Sequence, residues 1–400
     1  MEKKKILVLT SIYPADDIPS ASTPVVHYFT KEWVKMGYDV RVINYVPDFP
    51  ALMYAVLAPF QKMLSSKEGY TVRTYAVKDK EYELDSVKVA RFVLKKYKPH
   101  SKFSETQLSK AYNKSVEYCD NNQFHPDFII SHWANPQLKM MSMLKEHYRA
   151  KSCYVAHGEG IPSAIYGEEL FKLLQDVDVF GYRSDFIKRE FEAKSQLQKP
   201  SFQCYSGIPE YYLENVTPKD FNNVRNYIYV GTLIKRKFPD KIVSALAEAY
   251  VKGDFDMTYI GAGTEDESIR KVAADCGVSE KVHLLGRISR DEVIRKMDEN
   301  QVFVMVSKGE AFGLVYLEAM ARGCITIASR KEGFDGIIQD GVNGFLCEAG
   351  NEKELAEIIA KIRQMPVEEL QRISFAAMAT VRELTDVKAA KTYIESVINL

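Results

Sequence analysis

The chain has 400 residues, 46% of them apolar and 27% charged, with 54 basic and 54 acidic side chains. That length exceeds one ordinary core, so two domains are expected, and a net charge of zero argues against a general nucleic-acid binder. The zero hides a tilt. The first 200 residues carry 29 basic and 24 acidic side chains and the last 200 carry 25 and 30, a mild bias of the first half toward an anionic surface or acceptor.

Lys3-Lys4-Lys5 ahead of Ile6-Leu7-Val8-Leu9 imitates a signal peptide. The apolar run is too short and meets Tyr13-Pro14 with no small-residue cleavage site, so it reads as a buried first strand over 6–10. Thr23 as N-cap and Pro24 in the first turn open an amphipathic helix through Trp33 and Met36, ended by Gly37. A strand over 40–43 follows, and this strand–helix–strand unit implies a parallel sheet. Residues 47–115 interrupt the alternation. Further strands are expected at 127–132, 152–157, 177–182 and 202–205. No stretch reaches transmembrane length, and the expected location is the cytoplasm, with a peripheral position on the inner face of the membrane also open.

A linker over 210–226, with Pro218 and the polar run Asp220-Phe221-Asn222-Asn223, breaks the periodicity. The alternation then restarts, with strands at 227–230, 257–260, 282–285, 301–306 and 325–329. Helices fall at 239–250, 265–276, 290–299, 314–322 and 352–363, and the chain is helical again from about 368. The fold class is α/β: two doubly wound Rossmann-like domains facing across a cleft, 1–212 and 213–379, with a last helix at about 380–400 returning to the first. The six cysteines lie far apart with no C-x-x-C pair, so buried free thiols in a reducing compartment are expected rather than zinc or disulfides.

The segment Ser307-Lys308-Gly309-Glu310-Ala311-Phe312-Gly313-Leu314-Val315-Tyr316-Leu317-Glu318 puts two carboxylates around a glycine-led helix start. Amides of Phe312, Gly313 and Leu314 stand at the positive end of that helix, a phosphate site in waiting. Gly313 permits close approach to the backbone. One carboxylate is then placed for sugar hydroxyls and the other for those of a ribose, which together describe a nucleotide-sugar site.

The residues that follow carry a resemblance. Glu310 and Glu318 sit in EAFGLVYLEAMARGCITIAS, flanked by Tyr229-Val230-Gly231-Thr232-Leu233 with Lys237, Ile260-Gly261-Ala262-Gly263, Leu284-Leu285-Gly286-Arg287 and Asp340-Gly341-Val342-Asn343-Gly344. In order and spacing this resembles glycosyltransferase family 4, the retaining group with the GT-B fold. His157-Gly158 after a strand and Ser206-Gly207-Ile208 before the linker also fit, so the resemblance covers nearly the whole chain, loosely over 45–125. It departs at Thr232, where the family usually has arginine, and at Ser20-Ala21-Ser22-Thr23, where a glycine pair is usual.

The resemblance implies a hexose transferred from a UDP- or GDP-linked sugar to a saccharide or lipid-linked acceptor in polysaccharide or glycolipid synthesis, with no cofactor. Glu310 and His157 are the implied catalytic positions, Glu310 holding donor-sugar hydroxyls and His157 giving a hydrogen bond or steadying developing positive charge. Whether Glu310 is a nucleophile stays open, and His132 is left between function and structure. Glu318 takes the ribose hydroxyls, while Lys237 and Arg236 neutralise the leaving diphosphate. Gly231, Thr232, Gly261, Gly263, Gly286 and Arg287 line the same rim, with base and ribose against the last four. Each has a plainer reading, as a solvated basic turn, an exposed helix glutamate or a strand-end histidine.

Asp254-Phe255-Asp256 and Asp176-Val177-Asp178 imitate a metal-binding D-x-D but precede or begin strands, the wrong end for a ligand, so no metal is expected. Residues 48–64 are apolar, and Lys88, Arg91, Lys95, Lys96, Lys98 and Lys102 with Phe92, Tyr97 and Phe103 suggest a basic, aromatic patch over 88–103. Docking on an anionic membrane is one reading; a core helix and a solvated face is the other. The alternatives for the whole chain are a nucleotide-sugar 2-epimerase of the same fold and a non-catalytic sugar-nucleotide-binding protein.

Overall fold

The computed structural model describes residues 3–19, 23–68, 72–97, 101–158, 163–250 and 253–400. Ser20, Ala21, Ser22 and Lys98, named above, lie outside them. The chain divides into two compact units, one of Met1–Arg183, Ile187–Tyr205 and Asp386–Leu400, the other of Ser184–Phe186 and Ser206–Thr385.

The first unit is built on eight strands: β1 Lys5–Thr10, β2 Asp39–Asp48, β3 Lys80–Leu84, β4 Val87–Lys95, β5 Phe128–His132, β6 Lys151–Ala156, β7 Val179–Tyr182 and β8 Ser201–Gln203. Their order is β3-β4-β2-β1-β5-β6-β7-β8, parallel throughout except for the β3–β4 hairpin. Ile6, Leu7, Val8 and Leu9 are fully buried because helices cover both faces of the sheet, which is why the strand reads as an unbroken apolar run. The helix Val25–Lys35 starts one residue later than its sequence suggests, with Pro24 in the capping position and no side-chain cap.

Strands β3 and β4 fill part of the stretch that the sequence left unassigned. Arg91 of β4 is buried and grips Asp17 with two 2.7 Å bonds, holding that carboxyl at about 2. Phe92 and Phe103 are buried as well, and Lys95 pairs with the buried Asp48. The basic, aromatic patch expected over 88–103 therefore does not form one face, because β4 lies inside the sheet between β3 and β2 and is buried on both sides over 89–92.

The closing helix Asp386–Ile398 belongs to this first unit and packs on Val25–Lys35. Trp33 is fully buried there, its indole donating to the Ala390 carbonyl at 2.8 Å and its ring edge-on to Tyr393 at 4.9 Å.

The second unit holds β9 Asn226–Val230, β10 Asp256–Ile260, β11 Val282–Leu284, β12 Val302–Val304, β13 Ile325–Ser329 and β14 Phe345–Cys347. All are parallel in the order β11-β10-β9-β12-β13-β14, so the strand order reverses between β9 and β12. All six cysteines are unpaired; five are buried and Cys276 is exposed, which departs from uniform burial.

Replacing Trp33 by Ala removes a large buried ring and a buried hydrogen bond. The first unit should lose about 3–5 kcal/mol, read from the shift of its urea unfolding transition.

Candidate functional site

In an open parallel sheet, ligands gather beyond the carboxyl ends of the strands where their order reverses. In the second unit that point lies between β9 and β12. Gly231 and Thr232 follow β9, and the turn Lys235–Lys237 comes next. The loop after β12 carries Glu310. The two are stitched together: the Lys308 amide donates to the Arg236 carbonyl at 2.8 Å, and the Arg236 guanidinium donates to the Lys308 and Gly309 carbonyls at 3.1 and 3.3 Å.

That stitching sets the Lys237 ammonium 3.3 Å and the Arg236 guanidinium 3.8 Å from Glu310 Oε2. The same oxygen is buried and accepts no hydrogen bond of acceptable geometry, and among the described residues it is the one carboxylate oxygen so placed. The Glu310 amide, for its part, donates to Glu332 at 2.9 Å.

Close backbone contact makes this arrangement possible. A Cβ on Gly261 would stand 1.9 Å from the Gly231 carbonyl oxygen, and one on Gly263 would stand 1.9 Å from that of Leu233. A Cβ on Gly333 would come within 2.4 Å of the Glu310 carbonyl oxygen. The structure thus gives Gly261 and Gly263 the job of packing loop on loop. Gly286 accepts from the Gly261 amide at 2.8 Å, and Arg287 is exposed beside it. The Thr232 carbonyl accepts from the Tyr229 hydroxyl at 2.9 Å.

Gly313 caps the helix Leu314–Ala321 at φ +82°, a left-handed conformation that a side chain resists. Phe312 is buried against Phe334, with ring centres 5.7 Å apart, so its ring is core while its backbone stays on the rim. Glu318 is half-buried on this helix. Burial pushes its carboxyl above the usual range, while the Arg290 charge and the Tyr212 hydroxyl pull it back. Tyr212, Arg290 and the pair Glu332-Gly333 escaped the sequence reading because they come from three separate segments outside the 307–318 motif.

In the first unit, His132 ends β5 and His157 follows β6. His132 Nδ1 lies 2.9 Å from His157 Nε2, and the Trp133 ring stacks on His157 at 4.2 Å and 17°. Burial and then the Arg183 charge push His132 down to about 3. Burial, His132 and Arg183 hold His157 well below the ordinary histidine range. Both rings are neutral at physiological pH, so a hydrogen bond is what His157 has to offer.

Residues 218–379 match the family model described as glycosyl transferases group 1. The matched residues all lie in the second unit. The chain is 29% identical over 240 residues to an uncharacterized glycosyltransferase of Methanocaldococcus jannaschii, covering 59% of this chain and 65% of that one. It is 25% identical to a GDP-mannose-dependent phosphatidylinositol monomannoside mannosyltransferase of Corynebacterium glutamicum, over 58% and 66%. The chain thus spans slightly under two thirds of each of these two relatives. The alpha-monoglucosyldiacylglycerol synthase of Acholeplasma laidlawii matches at 24% over 83% and 81%. In fold, the chain is similar to a Rickettsia africae glycosyltransferase (TM-score 0.70, 15% identity, all of both chains). Anabaena HepE in complex with UDP is comparable (0.69, 16%, 99% and 100%).

Within the matched residues lie Glu310, Glu318, Arg236, Lys237 and the glycine-lined rim; His157 lies outside them. Of the two D-x-D sequences, Asp256 opens β10 and sits 3.1 Å from His283, while Asp178 precedes β7 and is taken up by Ser152 and Lys145. Both are at the amino ends of their strands.

Because burial raises the Glu318 pKa in the folded state, its ionised form costs stability at neutral pH. That cost fades as pH falls through the raised folded-state pKa and is gone below the pKa of the unfolded chain. Glu318→Gln should therefore raise the melting temperature at pH 7 by a few degrees, with the gain shrinking toward pH 4.5 in a thermal-melt series. Gly263→Ala, which forces a methyl into the Leu233 carbonyl, should lower stability by about 1–3 kcal/mol or more and loosen the loop carrying Lys237.

Proposed function

We propose that the chain is a retaining glycosyltransferase moving a hexose or its derivative from a UDP- or GDP-linked donor to a saccharide or lipid-linked acceptor. The observation that carries this reading is the buried, unbonded Glu310 oxygen beside Lys237 and Arg236 at the switch point of the second sheet. An acceptor-only oxygen so placed suits donor-sugar hydroxyls, which can supply the missing hydrogen bond. Lys237 and Arg236 suit the diphosphate, and Glu318 the ribose hydroxyls.

The second unit would hold the donor, and the first, which carries His157, the acceptor. Glu310 faces two cations that damp its nucleophilicity, which favours orientation of the sugar over covalent attack. The same two cations offer the charge neutralisation that a divalent metal gives elsewhere. Relatives named as GDP-mannose-dependent, and a similar fold solved with UDP, support both donor classes as candidates.

Glu310→Gln should lower kcat by about 10²-fold or more with donor affinity changed little, and Lys237→Ala should weaken donor binding in calorimetry. EDTA should leave the rate unchanged. Donor consumed without acceptor would instead indicate epimerase or hydrolase chemistry, and inversion at the anomeric carbon of the product would refute retention.

A membrane-facing role for the first unit rests on Leu52, Val56, Phe60 and Met63, which are 53–76% exposed along adjoining helical turns. Lys62 and Lys96 lie in or near that stretch, and we assign it to an anionic lipid surface. Among the described residues no helix is long and apolar enough to cross a membrane. Flotation with anionic vesicles should fall about tenfold for Phe60→Ser; equal flotation with zwitterionic vesicles would argue against the assignment.

A further inference from the structure

The two neutral histidines of the first unit belong to a longer chain of buried groups. The Tyr393 hydroxyl lies 3.1 Å from His132 Nε2, and His132 Nδ1 lies 2.9 Å from His157 Nε2. Tyr393 and His132 are at most 1% exposed, whereas His157 is half-buried. Water does not reach the first two, so the protons between them are set by the protein alone.

Two neutral arrangements satisfy those distances. In one, the phenol donates to His132 Nε2, His132 donates from Nδ1 to His157 Nε2, and His157 keeps its own proton on Nδ1. In the other every bond runs backward, and the phenol must donate elsewhere. The ionisable side chains that act on the Tyr393 hydroxyl, besides His132, are Cys153, Cys204 and Arg183 among the described residues. Thiols are weak acceptors and a guanidinium is none, while an imidazole nitrogen is a good one. Thiol and guanidinium can, however, donate to the phenol oxygen. Only the first arrangement gives every donor a proper acceptor.

We infer that Tyr393 and His132 are positioning residues that lock His157 as the Nδ1–H tautomer, making it a hydrogen-bond donor and never a base. The ring plane is fixed independently. Trp133 takes φ +64°, a left-handed conformation that costs a bulky residue about 1–2 kcal/mol, and in that conformation stacks on His157. The closing helix, far in sequence from either histidine, thus sets which nitrogen of His157 carries the proton. The tautomer assignment needs no assumption about function; its effect on turnover rests on the glycosyltransferase reading.

With seven histidines in the chain, nitrogen-15 long-range proton correlation spectra of the intact protein are assignable using His132→Asn and His157→Gln. The expected result is both rings neutral at pH 7 and both protonated on Nδ1. Tyr393→Phe keeps the ring volume and removes the proton donor; it should mix the tautomers and lower kcat about tenfold with donor KM within twofold. His132→Leu should do the same, while His132→Asn, whose amide can donate toward His157 Nε2, should recover most of the loss. Protonation of His157 on Nε2 in the unmodified protein would overturn the assignment. So would unchanged tautomers in folded Tyr393→Phe. If no donor–acceptor pair reacts, the functional reading fails while the spectra still decide the tautomer.

Discussion

Backbone crowding at the carboxyl edge of the second sheet is the constraint on which the candidate site depends. The loops after β9, β10, β12 and β13 approach so closely that one added methyl at 261, 263 or 333 would overlap a main-chain atom. That approach lets Arg236 and Lys308 exchange hydrogen bonds and sets Lys237 against Glu310. A buried carboxylate oxygen left unbonded costs about 1–3 kcal/mol. The cost persists because the surrounding loops cannot relax around it, and a ligand hydroxyl recovers it. Rigidity here is a form of preorganisation.

The first unit solves a similar positioning problem with different chemistry. Its sheet also reverses order, between β1 and β5, but the strand ends at and beside that point present aromatic rings and neutral imidazoles. The Arg183 cation is kept buried behind them, bonded to the Cys204 carbonyl at 2.6 Å, and helps keep both histidines uncharged.

Much of the fold was legible because parallel strands covered on both faces read as continuous apolar runs. Every strand of the second unit longer than three residues was placed to within a residue or so. β14 was missed, although the equally short β11 and β12 were placed. β3 and β4 were missed because basic residues interrupt the apolar run of β4, so Lys88, Arg91 and Lys95 looked like a surface patch although β4 lies inside the sheet. Arg91 shows how far that misleads, since its charge is cancelled by Asp17 from a loop seventy-odd residues earlier. At the candidate site, Glu310, Glu318 and Lys237 stood out through motif spacing. Tyr212, Arg290 and Glu332 did not, since only the folded chain brings them near. The proximity of His132 to His157 was equally invisible, being a product of strand pairing between β5 and β6.

Asp48 deserves a last remark for what it does to the apolar stretch that follows it. Fully buried at the end of β2, it receives the Tyr54 hydroxyl at 2.8 Å and the Lys95 ammonium at 2.5 Å, with the Arg73 guanidinium 3.4 Å away. One carboxylate therefore clamps both the entrance and the exit of the excursion between β2 and the β3–β4 hairpin. The residues between those two points are thereby tethered to the sheet at both ends, whatever their own sequence.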